Sequence, residues 1–163
     1  MSDAWSELRD AAAAYAGSFD AAGLPRPPAR RLVVVTCMDA RVDPLRLFGL
    51  ELGDAHVLRN AGAVVTDDVL RSLAISTRLL GTRAVAVVGH TDCGMAGATN
   101  EGLRARFAEE GADAADVDFH PFADLEQSVR DGVARIRSSP LLAPAAEAAG
   151  FVYEVETGRL RPV

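Results

Sequence analysis

The sequence predicts an α/β fold, a single domain in which a central, mostly parallel β-sheet is flanked by helices. Two short apolar runs, residues 32–36 and 84–88, lack polar alternation, which is typical of strands buried on both faces. Segments with helical spacing separate the predicted strands, and this alternation favours parallel pairing with right-handed crossovers. The length of 163 residues fits one domain, which we expect to span residues 1–163.

The first predicted element is an amphipathic helix over residues 3–22. Its large apolar side chains and one alanine recur at spacings of four, three and four on an alanine-rich background that favours helix. These residues are Leu8, Ala12, Tyr15 and Phe19. Gly23 and three prolines end the helix. Residues 1–28 are therefore expected to form a helix and a linker in front of the sheet.

A short helix is predicted between the first two strands. Asp43 suits the N-cap and Pro44 suits the first helical position, while Gly49 follows Phe48 at the other end. A second strand is expected over residues 55–58.

A longer helix is predicted to lead into the second buried strand. Thr66 and the two aspartates after it open this helix, and Gly81 closes it. Its apolar residues recur at helical spacing, and they are Val69, Leu70, Leu73, Ala74 and Leu80. This apolar stripe suits packing against a sheet.

The remainder of the chain predicts two more helices and one more strand. A helix lies somewhere within residues 94–110, and a clearer one begins at Pro121 and ends before Pro140. Residues 151–155 predict the last strand, and residues 157–160 predict a turn. The expected sheet has four parallel strands and an edge strand.

The composition excludes several classes of protein. Hydrophobic residues make up 49% of the chain and charged residues 25%, which is ordinary for a globular domain and argues against disorder. The net charge of −6 argues against nucleic acid as a partner, because phosphate repels an acidic surface. No apolar run approaches the roughly 20 residues that span a bilayer, and no signal segment begins the sequence. We therefore expect no membrane association and a cytoplasmic location.

Both cysteines follow predicted buried strands. Cys37 comes directly after the first strand, and His90 and Cys93 come after residues 84–88. The carboxyl ends of neighbouring parallel strands lie at one edge of a sheet, where ligands usually bind. Two cysteines and one histidine are zinc ligands that leave a fourth tetrahedral position for water or substrate, as in catalytic sites. The alternative is a pair of buried thiols and a loop histidine without a metal.

Asp39 and Arg41 lie in the loop after Cys37. Their spacing of two residues lets both side chains point to one side, where a charge-assisted, bidentate pair forms naturally. The Asp39 carboxylate could orient a metal-bound water, or could occupy the fourth zinc position if Arg41 releases it. The alternative is an ordinary loop salt bridge.

Small residues after the second strand and after Cys93 are candidates for a substrate pocket. Asn60, Ala61 and Gly62 would let the backbone approach a small ligand closely, although they also suit a simple tight turn. Gly94 could offer backbone N–H groups to an anion or to metal thiolates.

Three segments of the chain together resemble the motifs of the β-class carbonic anhydrases. They are Cys37-Met38-Asp39-Ala40-Arg41, Arg59-Asn60-Ala61-Gly62 and His90-Thr91-Asp92-Cys93-Gly94. Each motif alone is weak, but three in this order with matching strand context are a strong signal. The resemblance continues through the helix at residues 66–81 and the segment at 151–160, and so covers most of the chain.

The resemblance implies an activity and roles for five residues. Cys37, His90 and Cys93 would hold one Zn²⁺ per subunit, with Asp39 and Arg41 as the catalytic dyad. The implied reaction is reversible hydration of CO₂ to bicarbonate and a proton, by attack of zinc-bound hydroxide. The family also implies a homodimer or a higher homo-oligomer.

Two features depart from the family pattern. Ala40 stands where the family often has serine, which removes a hydroxyl but no ligand. The chain is short, and the N-terminal arm is reduced to the single helix within residues 1–28, which we expect to contact a second subunit of a dimer.

Two other functions fit the same residues. The first is a zinc hydrolase of CS₂ or COS on the same fold. The second is a non-catalytic zinc or redox-sensing module, in which Cys37 and Cys93 bind zinc reversibly or form a disulfide under oxidant. A dinucleotide-binding site is disfavoured, because no G-x-G-x-x-G follows the first strand.

Overall fold

The computed structural model describes residues 2–163 and is built around a five-stranded sheet. Its strands are β1 (Leu32–Cys37), β2 (Ala55–Asn60), β3 (Ala84–His90), β4 (Glu147–Tyr153) and β5 (Leu160–Pro162). Their order across the sheet is β2-β1-β3-β4-β5. The first four are parallel, and β5 pairs antiparallel with β4 at the edge. The predicted fold class is confirmed.

Five α-helices connect or precede these strands. They are α1 (Ser2–Gly17), α2 (Pro44–Phe48), α3 (Asp67–Arg78), α4 (Asn100–Glu109) and α5 (Leu125–Ser138). The predicted caps occur where expected: the Asp43 side chain accepts hydrogen bonds from the N–H groups of Leu45 and Arg46, and Thr66 caps α3. A short 3₁₀ turn, Ala61–Ala63, follows β2.

Three predicted boundaries differ from the structure by four or five residues. Helix α5 begins at Leu125 rather than Pro121, because Asp124 caps it by accepting a hydrogen bond from the N–H of Gln127. Strand β4 begins at Glu147, four residues before the predicted start, in a stretch of small residues that lacks a strand-like pattern. Helix α1 ends at Gly17, five residues earlier than expected.

Helices α3 and α5 cover one face of the sheet and form the main core. The residues buried there include Val33, Val35, Leu73, Val85, Val87, Val129, Val133 and Ile136. Gly89 of β3 and Gly150 of β4 let helix α5 lie close to the sheet, because neither residue has a side chain. A Cβ at Gly89 would lie 2.8 Å from Val129, and one at Gly150 would lie 2.7 Å from it.

The other face of the sheet is covered less completely. Val34, Ala86 and Val88 form a small cluster there with side chains that include Phe48 of α2 and Phe151 of β4. Helix α2 is only five residues long, and a groove of about 650 Å³ remains open beside it. Its apolar lining includes Leu32, Phe48, Ala84, Ala86, Ala149 and Phe151.

Helix α1 presents large apolar side chains to solvent. Trp5 is 67% exposed and Leu8 60% exposed, and Tyr15 is exposed as well, as is Phe19 just after the helix. Within residues 2–163, no helix combines the length and apolar character needed to cross a membrane.

Candidate metal centre

The sheet brings Cys37, His90 and Cys93 together at one edge. Cys37 ends β1, and His90 ends the neighbouring parallel strand β3. The chain then turns back through Asp92, whose positive φ of 55° belongs to a left-handed conformation that aspartate tolerates. Cys93 follows, and the ligand atoms of the three residues all lie within 4.8 Å of one another. All three side chains are buried.

The His90 imidazole has one nitrogen bonded and one free to bind. Its Nδ1 lies 2.8 Å from the carbonyl oxygen of Thr91, and a carbonyl only accepts, which assigns the ring hydrogen to Nδ1. The lone pair is therefore on Nε2. Among the described residues, Nε2 is the one buried side-chain nitrogen or oxygen without a hydrogen-bond partner. A buried unpaired acceptor beside two sulfurs is costly unless a cation binds it.

Backbone N–H groups support both cysteine sulfurs. The N–H of Gly62 donates to Cys37 Sγ at 3.4 Å, and the N–H of Met95 donates to Cys93 Sγ. Burial, with Cys37 close by, raises the pKa of the Cys93 thiol. A bound cation would counter this effect, since metals bind thiolates. Two sulfurs and an imidazole nitrogen are a donor set that zinc prefers, so the cluster suits a metal site.

Asp39 and Arg41 form the bidentate pair that their spacing predicts. The Arg41 Nε–H donates to Asp39 Oδ1 at 3.0 Å, and Nη2–H donates to Oδ2 at 2.8 Å. These hydrogen bonds, with one from the Arg41 backbone N–H, hold the pKa of the Asp39 carboxyl well below its usual range. The ionised carboxylate lies next to the cluster, with Oδ2 3.8 Å from His90 Nε2.

Two further side chains support the loops of the site, and neither was assigned a role from the sequence. Arg59 donates from Nε to the carbonyl oxygen of Cys37 at 2.9 Å and from Nη2 to that of Asp39 at 2.7 Å. Asp92 accepts a hydrogen bond from Arg41 Nη1 at 2.7 Å. Both lie within the three motifs, but only the folded chain places Asp92 beside Arg41, 51 residues away.

The four residues predicted to line a substrate pocket occupy different positions. Gly62 lies against the cluster with a φ of 86°. The Asn60 side chain is engaged within its own turn: Nδ2–H donates to the Val64 carbonyl at 2.7 Å, and Oδ1 accepts from the Val64 N–H at 3.0 Å. Ala61 and Gly94 are exposed.

Three apolar side chains pack against the two cysteines of the cluster and form what we call the apolar wall of the site. They are Ala63 and the half-buried Met95 and Phe122. Backbone hydrogen bonds hold Phe122 there, since its carbonyl accepts from Gly97 at 2.8 Å and its N–H donates to Met95 at 3.3 Å. The sequence placed Phe122 at the start of a helix, so this wall was not anticipated.

Comparisons with known proteins point to one family. A family model described as carbonic anhydrase matches residues 32–160. Beta-carbonic anhydrase 1 of Mycobacterium tuberculosis is 43% identical over 149 residues, which cover 91% of this chain and 91% of that protein. A carbon disulfide hydrolase of an Acidianus species is 37% identical over 159 residues, covering 83% of this chain and 78% of the other.

The fold is shared with a crystal structure of a carbonic anhydrase from Streptococcus mutans. That structure superposes with a TM-score of 0.92 at 44% sequence identity, covering 98% of this chain and 96% of the other. The matched region contains both loops that build the cysteine–histidine cluster. The chain belongs to the β-carbonic anhydrase family.

Proposed function

We propose that this chain is a carbonic anhydrase that hydrates CO₂ reversibly to bicarbonate and a proton, with Zn²⁺ held by Cys37, His90 and Cys93. One observation carries the proposal: the unpartnered His90 Nε2 faces two buried thiols, with the ionised Asp39 carboxylate beside it. Zinc bound by these three residues would supply Lewis-acid chemistry, lowering the pKa of a water molecule below that of bulk water. We assign one Zn²⁺ to each subunit.

We assign Asp39 the task of orienting the attacking water. Its Oδ2 lies 3.8 Å from His90 Nε2 and would accept a hydrogen bond from that water, which would direct the oxygen lone pair toward the carbon of CO₂. Arg41 keeps the carboxylate ionised and in place through its two hydrogen bonds. The product proton then leaves to bulk solvent, which reaches the site beside the half-exposed Arg41.

The lining of the site suits a small apolar substrate. Met95 and Phe122 provide an apolar surface beside the donor atoms, against which CO₂ can lie without losing hydrogen bonds to water. Gly62 keeps this space open, because a Cβ there would lie 3.0 Å from Phe122 Cε1. We include Gly62, Asn60, Ala61 and Gly94 in the proposed pocket, with Asn60 acting through the turn that it supports.

Hydrolysis of CS₂ or COS is the second candidate activity. It is favoured by the carbon disulfide hydrolases among the relatives and by the same apolar wall, which would accept these linear molecules. The carbonic anhydrases are the better match. A solved structure of a carbon disulfide hydrolase superposes with a TM-score of 0.74, against 0.92 for the Streptococcus mutans protein.

We also propose that the protein is a homodimer or a higher homo-oligomer, and that residues 1–28 are the arm that joins subunits. Helix α1 exposes an apolar stripe, and the open face of the sheet carries an apolar groove of about 650 Å³. Each surface would bury apolar area against the other in a second copy of the chain. Two free thiols at a metal site suit the reducing conditions of the cytoplasm, which we propose as the location.

The proposed activity is tested by comparing CO₂ and CS₂ on one zinc-quantified preparation, with Asp39→Asn as the variant. We expect CO₂ hydration in the wild type and a loss of about a hundredfold in Asp39→Asn, the lower end of general-base effects, with zinc content unchanged. Turnover of CS₂ without CO₂ hydration would support the second candidate instead. Bound zinc with neither activity would favour a non-catalytic zinc or redox module.

A further inference from the structure

The Arg41 guanidinium is held by both loops of the metal centre. Asp39, from the loop after β1, accepts from Nε at 3.0 Å and from Nη2 at 2.8 Å. Asp92, from the loop after β3, accepts from Nη1 through Oδ2 at 2.7 Å and from Nη2 through its backbone carbonyl at 3.0 Å. Four hydrogen bonds therefore fix the orientation of this one planar group.

The two aspartates constrain Arg41 in different ways. Asp39 lies two residues from Arg41 on the loop after Cys37, so this contact alone does not connect the pair to the loop that carries His90 and Cys93. Asp92 lies between His90 and Cys93, and its contacts connect Arg41 to the loop that carries two of the three donor atoms. The contacts with Asp92 are therefore the ones that connect the Arg41 guanidinium to the loop of His90 and Cys93.

The backbone conformation at Asp92 also helps to connect Arg41 to the loop of His90 and Cys93. Its φ of 55° lies in the left-handed region, where aspartate, asparagine and glycine are tolerated better than other residues. This turn directs His90 and Cys93 to one point and presents both the carboxylate and the carbonyl of Asp92 to Arg41. One residue thus shapes the metal loop and contacts the dyad.

We infer that Asp92 is a positioning residue: through Arg41, it holds the Asp39 carboxylate in register with the three metal-binding side chains. The inference rests on the proposed carbonic anhydrase activity, for which Asp92 would set the geometry without touching substrate. Misplacement of a reacting group by about 1 Å costs up to a hundredfold in rate, so a group that fixes this orientation affects turnover strongly.

The contact contributes little to the stability of the fold. The Asp92 side chain is 78% exposed, and the pair with Arg41 lies at the surface, where solvent screens it. Removing the carboxylate should therefore leave the protein folded and able to bind zinc. A lower rate in such a variant would then come from a displaced Asp39 carboxylate and not from unfolding or loss of zinc.

The test uses two variants of Asp92 and one matched control on the full chain. Asp92→Gly removes the side chain and keeps the left-handed turn, whereas Asp92→Asn keeps a neutral oxygen acceptor. Asp68→Asn removes the same charge from another exposed aspartate–arginine pair, with Arg71 at 2.9 Å on helix α3. Zinc content, melting temperature, kcat and KM are measured for all four proteins, and the Arg41 Nε–H is followed by ¹⁵N NMR.

We expect kcat for CO₂ to fall about tenfold in Asp92→Gly with KM unchanged, and Asp92→Asn to recover part of the loss. Zinc content and melting temperature stay at wild-type values, and the Asp68→Asn protein behaves as wild type. The Arg41 Nε–H signal exchanges faster with solvent in Asp92→Gly, because the guanidinium is less constrained.

Two results would overturn the inference. One is an unchanged Arg41 signal together with an unchanged kcat in Asp92→Gly. The other is loss of zinc from that variant, which would make Asp92 a structural part of the metal loop. If the wild type does not hydrate CO₂, the proposed function fails by itself, and the NMR signal still decides whether Asp92 holds Arg41.

Discussion

The Asp39 carboxylate lies beside the His90 imidazole, with Oδ2 3.8 Å from Nε2. This distance is too long for a hydrogen bond, although both atoms are acceptors that would gain from a shared cation. Arg41 occupies both carboxylate oxygens and holds them at this separation. This geometry would keep the carboxylate beside the proposed zinc without making it a fourth ligand.

Arg41→Ala should release that carboxylate. Without the guanidinium, Asp39 can rotate toward the metal and occupy the position that water needs, so we expect CO₂ hydration to fall about a hundredfold while zinc is retained. The visible spectrum of the cobalt-substituted protein reports the change in coordination. Arg71→Ala, which breaks the exposed pair with Asp68, is the control. A wild-type rate in Arg41→Ala would show that Arg41 is not needed to keep the Asp39 carboxylate away from the metal.

Gly150→Ala should destabilise the fold without touching the site. A Cβ at Gly150 would lie 2.7 Å from Val129 and 3.1 Å from Val163, so helix α5 would have to shift away from the sheet. We expect the free energy of unfolding to fall by about 1–3 kcal/mol, measured by urea denaturation. Gly17→Ala is the control, because no atom lies within 4 Å of the added Cβ. Equal stability of both variants would contradict the close approach of α5.

Glu126 makes the stability of the fold depend on pH. It joins α5 to β5 by accepting from Arg161 at 2.7 Å, and it also pairs with Arg130 at 2.6 Å. These hydrogen bonds lower the pKa of Glu126 from its ordinary value of 4.5, and the one from Arg161 has the largest effect. Because the pKa is lower in the folded state, the contribution to stability is complete above the ordinary pKa and is lost as pH falls through the lowered value.

Glu126→Gln should therefore unfold at lower urea than the wild type at neutral pH. The difference should disappear as pH falls from 4.5 through the lowered pKa, since the wild-type carboxyl is then protonated too. Glu7→Gln on α1, away from the sheet, serves as the control. A difference that is constant across this range would mean that the charge of Glu126 does not stabilise the fold.

The proposed dimer depends on the apolar stripe of α1. Replacing Trp5 and Tyr15 together with serine should shift the protein toward the monomer, because both side chains are exposed within a single chain and would be buried in the complex. Sedimentation velocity measures the change. Leu79→Ser is the control, since Leu79 is 71% exposed at the C-terminal end of α3, apart from the stripe. A monomeric wild type would contradict the proposed arm, and so would an unchanged oligomer in the variant.

The parts of the fold that local patterns determine were predicted well. The buried strands around residues 32–36 and 84–88, the Asp43–Pro44 helix start and the Thr66 cap all depend on nearby residues, and all occur as expected. The start of β4 was missed, because its small residues are selected by the approach of α5 and not by strand propensity. Strand β5 has only three residues, and its pairing with β4 defines it.

In the candidate site, too, the features set by nearby residues were predicted and those set by distant residues were not. Cys37, His90 and Cys93 could be grouped from the sequence because parallel strands end at one edge, and Asp39 and Arg41 are close in the chain. The contacts of Arg41 with Asp92 and of Phe122 with Gly62 join residues more than 50 positions apart. No local pattern encodes such pairs, and only the folded chain reveals them.

Stopped-flow CO₂ hydration at defined zinc content tests the central claim most directly. Metal-free protein is titrated with zinc and assayed at several alkaline pH values, with Cys37→Ala alongside. We predict a rate that rises in proportion to bound zinc up to one ion per chain, and no activity in Cys37→Ala. A zinc-replete protein without hydration at any pH, or equal activity in metal-free protein, would contradict the proposed carbonic anhydrase activity.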